Sequence, residues 1–190
     1  PCYEATLDTY TKICTKELAI ERCQALLDTF PNEEDKDPRC RGPNPKVVKF
    51  TGRLGPGGMH AFMYALLADG PGVKDSCAIY SPLEELHIFE GYVQDAGVGH
   101  IAQLLVPSKA KNMALQRIVL SGDNITKVGI DQLTMALMSN QSLVELRLDH
   151  CEGLEDRAVK SLCNGILLKG NLEILSLKYC SFGSTGAAHL

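Results

Sequence analysis

At 190 residues, with 45% hydrophobic and 22% charged side chains, the chain has the balance of one ordinary globular domain. A formal net charge of −4 argues against an electrostatic grip on nucleic acid or on an anionic membrane surface. No stretch approaches the roughly 18 consecutive apolar residues of a membrane-spanning helix, and no basic–apolar–small signal opens the chain, so a cytoplasmic protein is expected.

Residues 1–44 follow no repeat. Over residues 10–30 the side chains Ile13, Cys14, Leu18, Ile20, Cys23, Leu26 and Leu27 fall at helical spacing, which predicts a helix capping the array that follows. The acidic run at 32–37 reads as a solvated loop, and the polar, proline-bearing stretch 31–45 as a linker.

From residue 45 onward one phrase recurs. It opens as Pro45-x-x-Val48-x-Phe50 with Leu54, Gly58, Phe62 and Leu66, and returns as Leu83-x-x-Leu86-x-Ile88 with Val93, Gly97, Ile101 and Leu105. It then runs Leu115-x-x-Ile118-x-Leu120 with Asp123, Ile125, Gly129, Leu133 and Leu137, and Leu143-x-x-Leu146-x-Leu148 with Cys151, Leu154, Ala158, Leu162 and Ile166. The last unit is Leu172-x-x-Leu175-x-Leu177 with Cys180, Phe182, Gly186 and Leu190. The final two steps are 28 and 29 residues, the period of one strand plus one helix per unit. The units span 45–82, 83–114, 115–142, 143–171 and an incomplete 172–190, with insertions at 68–81 and an exposed loop expected at 107–112. The chain opens on Pro1 and stops at Leu190 within a helical stretch, so it reads as a fragment of a longer protein. An array ending there would leave apolar area in water at about 25 cal/mol per Å².

Within a unit the strand alternates, which turns the fourth and sixth positions of the phrase toward the core. The glycines Gly58, Gly97, Gly129 and Gly186 mark helix starts packed closely against the turn. Apolar residues four apart after them lay one helical stripe on the same core. In the fourth unit an extra residue near Glu152-Gly153, and Ala158 in place of glycine, should disturb a turn without breaking the array.

The phrase resembles that of the ribonuclease-inhibitor-like class of leucine-rich repeats, carried best by Leu143, Leu146, Leu148, Cys151, Leu172, Leu175, Leu177, Cys180 and Gly186. The resemblance implies an α/β solenoid, a horseshoe with parallel strands on its concave face and helices on its convex face. That class includes inhibitors, innate immune sensors, Ran GTPase-activating proteins and ciliary or cytoskeletal scaffolds. A helical cap ahead of such repeats is similar to that of several axonemal leucine-rich-repeat proteins, which implies a cilium, axoneme or cytoskeleton as the setting.

On the solvent side of the strands, the row between the inward pair reads Lys49, His87, Val119, Arg147, Ser176, and the preceding row Val47, Glu85, Arg117, Glu145, Ile174. The next two rows are Thr51, Phe89, Ser121, Asp149, Lys178 and Gly52, Glu90, Gly122, His150, Tyr179. Phe89, Val119 and Tyr179 are apolar groups expected in water amid charges of both signs, the composition of a protein-binding face. The candidate contact residues are Lys49, Glu85, His87, Phe89, Arg117, Val119, Glu145, Arg147, Asp149, Lys178 and Tyr179, with Phe89, Arg117, Arg147 and Tyr179 as anchors.

Signals for chemistry are poor. The eight cysteines (Cys2, Cys14, Cys23, Cys40, Cys77, Cys151, Cys163, Cys180) form no C-x-x-C and read as reduced structural thiols. His150-Cys151 could pair a base with a nucleophile, but adjacent strand-end residues point different ways and Cys151 fills a repeat slot. The glycines around Arg53 lack the Lys-Ser/Thr of a phosphate loop, and the five histidines are scattered. The sequons at Asn124 and Asn140 matter only in a secreted protein. A non-enzymatic scaffold without cofactor or metal, binding protein partners in a complex, is therefore expected. A Ran-type GTPase activator is the alternative, and the sensor region of an immune receptor a third reading.

Overall fold

In the computed structural model, which describes residues 3–29, 36–69, 78–110, 113–169 and 171–190, five strands form one parallel sheet in sequence order. The strands are β1 (Val47–Thr51), β2 (Glu85–Phe89), β3 (Arg117–Ser121), β4 (Glu145–Asp149) and β5 (Ile174–Ser176). Among the described residues are seven α-helices: α1 (Tyr3–Lys12) and α2 (Gln24–Leu27) ahead of the sheet, then one after each strand. The latter are α3 (Gly55–Leu67), α4 (Gln94–Ala102), α5 (Lys127–Leu137), α6 (Asp156–Lys169) and α7 (Ser184–Ala187). Parallel neighbours need a crossover, and α3, α4, α5 and α6 supply the four.

The register is continuous. Lys49 pairs with His87, His87 with Val119, Val119 with Arg147 and Arg147 with Ser176. The alternation sends Val48 and Phe50, Leu86 and Ile88, Ile118 and Leu120, and Leu146 and Leu148 into the core. A slip of one residue would put every one of them on the other face. From the helix side come Val98 and Ile101, Ile130 and Leu133, and Val159 and Leu162, all fully buried. Each such side chain stabilises by about 1.5–3 kcal/mol relative to exposure.

The helix starts differ slightly from the sequence expectation, because each repeat glycine sits two or three residues inside its helix rather than at the first position. Close packing is the reason at Gly129. A Cβ there would lie 2.6 Å from Asp95 Oδ1 and 3.1 Å from Asp95 Cα. Asp95 stands in the first turn of α4 and accepts from the backbone N–H groups of Thr126 (2.7 Å) and Gly129 (3.0 Å), and from the Thr126 hydroxyl (2.7 Å). One helix thus supplies the N-terminal acceptor of the next. Asp156 of α6 does the same for Gly183 (2.7 Å) and Gly186 (3.0 Å) of the last unit.

The N-terminal segment departs from the single helix expected over residues 10–30. The helix begins earlier, at Tyr3, passes from α1 into a π-helical stretch (Ile13–Leu18), and stops at Ala19 with φ +50°. Residues 20–23 are not helical and α2 is a single turn. Two tyrosines hold the returning chain alongside α1: the Tyr10 hydroxyl accepts from Cys23 N–H at 2.9 Å, and the Tyr3 and Thr29 hydroxyls lie 2.9 Å apart. Tyr10 also sets its ring edge-on to Phe62 of α3, with centroids 6.1 Å apart. A single 3-10 turn (Pro38–Cys40) runs beside β1, where Lys46 N–H donates to Arg39 C=O at 2.7 Å. The expected loops at 32–37, 68–81 and 107–112 fall partly outside the described residues. Of the last, residues 107–109 are exposed but Ala110 is buried.

Candidate functional site

The side of the sheet opposite the helices is organised by two buried carboxylates. Glu85 and Glu145 have side chains only 7% and 4% exposed. Glu85 takes Arg39 Nη1 at 2.5 Å, Arg117 Nη1 at 2.8 Å and His87 Nε2 at 3.0 Å. Glu145 takes the Nε groups of Arg117 and Arg147. The result is a ladder of alternating charge, Arg39–Glu85–Arg117–Glu145–Arg147, running across the strands.

The titration of these groups follows from the ladder. Burial alone would push both carboxyls up. Hydrogen bonds from Arg39 and Arg117 outweigh it at Glu85, and those from Arg147 and Arg117 at Glu145, so both sit below the usual glutamate range. Burial lowers the His87 pKa, partly offset by its bond to Glu85.

Glu85 and Glu145 were expected as exposed contact residues, and that expectation is corrected: their neighbours' guanidinium groups cover them. Val119, expected as an apolar group in water, is also buried, at 6% exposure. It is shorter than His87 and Arg147, its neighbours in the row, and lies below them. The remaining candidates are half-buried or exposed. Lys49 is exposed on β1, Phe89 and Asp149 are half-buried at strand ends, and Lys178 and Tyr179 are exposed. Asp149 Oδ1 accepts from Ser176 Oγ at 2.7 Å and from Lys178 N–H at 2.8 Å, which fixes the turn after β5.

Nine of the eleven candidates line one groove of about 570 Å³, joined by Ser121 and His150; Lys49 and Glu85 lie outside it. Beyond the strands the chain takes the same turn in successive units, with φ +54° at Glu90, +78° at Gly122, +55° at His150 and +57° at Tyr179. At the end of the groove the His150 and Tyr179 rings stack, with centroids 4.5 Å apart and planes 19° apart.

Sequence reasoning missed Arg39, which comes from outside the repeat and carries no local signal. It also missed the left-handed row, whose trace in sequence is the glycine at Gly122.

Just past the strands, Cys151, Cys180 and Asp123 fill equivalent slots. Cys180 Sγ donates to Leu148 C=O at 3.0 Å, and Asp123 Oδ1 accepts from Val93 N–H at 2.7 Å. Burial pushes the Cys151 thiol up to about 12, the opposite of what a nucleophile needs. Cys14, Cys23, Cys151, Cys163 and Cys180 form no disulfide among the described residues, Cys40 is buried, and Cys2 and Cys77 lie outside the described residues. The Asn140 side chain is engaged by Ser142 N–H, Leu143 N–H and Leu105 C=O. Among the described residues no group of three or more His, Cys, Asp or Glu is placed to hold a metal ion, and no helix is long and apolar enough to cross a membrane.

A parallel sheet of strand–helix units, four of them opening on the same leucine phrase, defines an α/β protein of leucine-rich-repeat-like fold. No family model matches the chain. Human NACHT, LRR and PYD domains-containing protein 5 is 31% identical over 109 residues, 57% of this chain, and the chain spans 9% of that protein's length. Among solved structures, leiomodin-1 actin-binding site 2 is similar with a TM-score of 0.53 and 15% identity, over 87% of this chain and 79% of that one. The second likeness is one of fold.

Proposed function

We propose that the chain is a non-enzymatic protein-interaction module: a ribonuclease-inhibitor-like leucine-rich-repeat horseshoe, strands concave and helices convex, with residues 1–44 as cap and 45–190 as repeats. The observation that carries this reading is the groove itself. Arginines held in fixed positions by buried carboxylates stand beside an exposed aromatic stack. Oriented arginine and aromatic anchors are what protein interfaces concentrate their energy in.

The working place of such a module is the cytoplasm, in an assembly with the cytoskeleton. The likeness to an actin-binding site of leiomodin-1 makes actin the first protein to test, ahead of axonemal partners.

The test is capture of partners by the purified chain, compared with an Arg147→Ala/Tyr179→Ala variant. Glu145 keeps Arg117 in that variant, so the fold should survive. A defined partner whose affinity falls by about 1–3 kcal/mol for each anchor removed supports the reading. Equal capture by the variant would move the binding surface off this face. A small GTPase whose hydrolysis the chain stimulates would replace the reading with the activator alternative.

A further inference from the structure

One end of the charge ladder on the open face carries cationic groups whose bonding capacity its own contacts leave unused. Two buried carboxylates, Glu85 and Glu145, are shared by three guanidinium groups, those of Arg39, Arg117 and Arg147. Asp149 adds one carboxylate, and Lys49 and Lys178 add two ammonium groups. Arg39 is also paired with Asp37 at 2.7 Å, and Glu90 stands exposed beyond β2, so the positive charge left over lies at Arg147 and Lys178, at the far end of the ladder, on a chain whose formal charge is −4.

Arg147 ends the ladder. Its Nε is bound to buried Glu145, which fixes the guanidinium plane, and its two terminal nitrogens make no hydrogen bond among the described residues. A guanidinium edge with two parallel donors matches a carboxylate in a two-point contact. Because the side chain is already held, little rotamer entropy is lost on binding. The Lys178 ammonium lines the same groove and has no ion-pair partner among the described residues. Next to it, Tyr179 is 77% exposed and stacked on His150, an apolar platform beside the charges.

We propose that this groove takes an acidic segment of a protein partner, one Asp or Glu carboxylate docking on the terminal nitrogens of Arg147 beside Lys178, and the neighbouring residue packing on the His150–Tyr179 platform. The inference rests on the protein-binding reading of the face and adds the chemistry of what it binds. A nucleic acid offers negative charge too, but it would meet the repulsion of an acidic chain outside a groove of about 570 Å³.

The experiment is selection of random dodecapeptides displayed on phage against the purified chain, then titration of the selected peptides by fluorescence anisotropy. Thermal unfolding checks that each variant is folded. The expected peptides are rich in Asp and Glu next to an apolar residue. Replacing their acids by Asn and Gln, or making Lys178→Glu in the chain, should weaken binding by about tenfold or more, and salt should weaken it further. Arg147→Lys, which keeps the charge but loses the fork, should weaken it by roughly three- to tenfold. Selected peptides without acids that still lose binding in Tyr179→Ala would overturn the acidic chemistry and leave the protein-binding reading standing. Peptides indifferent to Arg147, Lys178 and Tyr179 alike would overturn both. A single-stranded oligonucleotide that binds tighter than the acidic peptides, through Lys178, would also overturn the proposal.

Discussion

At the scale of single residues, Asp123 is the least comfortable group described. It fills a slot that the repeat phrase gives to Cys or Asn. One carboxylate oxygen is bonded to Val93 N–H and the other, Oδ2, is buried without a partner among the described residues. Burial raises its pKa from 3.8 to about 6. The folded chain therefore keeps a proton between those values that the unfolded chain has released. The contribution of Asp123 to stability is therefore most favourable below the unfolded value and falls as pH rises toward 6, after which its buried charge costs about 3 kcal/mol. Asp123→Asn keeps the acceptor for Val93. It is predicted to raise stability at pH 7.5 by about 1–3 kcal/mol and to remove the fall between pH 4 and 7. Urea unfolding at several pH values checks this, and an unchanged pH slope would clear Asp123 of the effect. The same scale shows where reading the sequence stops. Alternation placed Glu85, Glu145 and Val119 on the sheet's solvent side, but what buries them comes from other strands and from Arg39, 46 residues before Glu85. Local pattern carries no information about a neighbour that long.

At the scale of elements, the strands and the helix order were legible because period and alternation are local properties repeated five times. The bend in the N-terminal helix was not, since Tyr10 and Cys23 meet through a hydrogen bond that the apolar spacing of residues 10–30 does not encode. Helix separation is equally hidden. At Gly165 of α6 a Cβ would come 1.9 Å from Thr134 Cγ2 of α5, so these helices touch at a distance only glycine permits. Gly165→Ala is predicted to cost about 1–3 kcal/mol by overpacking. Thr134→Ala, whose lost hydroxyl has no partner among the described residues, should recover most of that in the double variant. Chemical denaturation of the two single variants and the double gives the cycle, and additive costs would show that the helices do not meet there. Asp95 and Asp156 add a second period, because they link helices from the second unit to the third and from the fourth to the fifth. Lys127, the corresponding residue of the third unit, pairs with Asp131 of its own helix instead, at 2.5 Å.

At the scale of the whole molecule, stability depends on joining the N-terminal segment to the repeats. Tyr10 is fully buried between α3 and the returning chain, and does two jobs there, filling space against Phe62 and accepting from Cys23 N–H. Tyr10→Ala should cost about 3–5 kcal/mol, lowering Tm by roughly 10 °C for a chain of this size. Tyr10→Phe keeps the ring and leaves a buried N–H unpaired, for about 1–3 kcal/mol. Calorimetry that found the two variants equal would mean that the ring contributes little and the segment is held by its hydrogen bonds. Arg39 extends the same joint to the open face, where it bonds Glu85. The segment that packs on α3 and runs beside β1 thus also supplies the first rung of the charge ladder.

The left-handed turn at Glu90, Gly122, His150 and Tyr179 has a consequence for how such a surface can change. For a side chain other than glycine that backbone conformation costs about 1–2 kcal/mol, and three of the four positions carry it. In return, three of the units present a side chain just past the strand, outside the alternation that commits strand residues to the core, and those of His150 and Tyr179 line the groove. These positions form a row of interchangeable sockets: an acid, an imidazole and a phenol already occupy them on one unchanged backbone. A new recognition sequence could be written into that row one unit at a time, with the leucine framework beneath it left as it is.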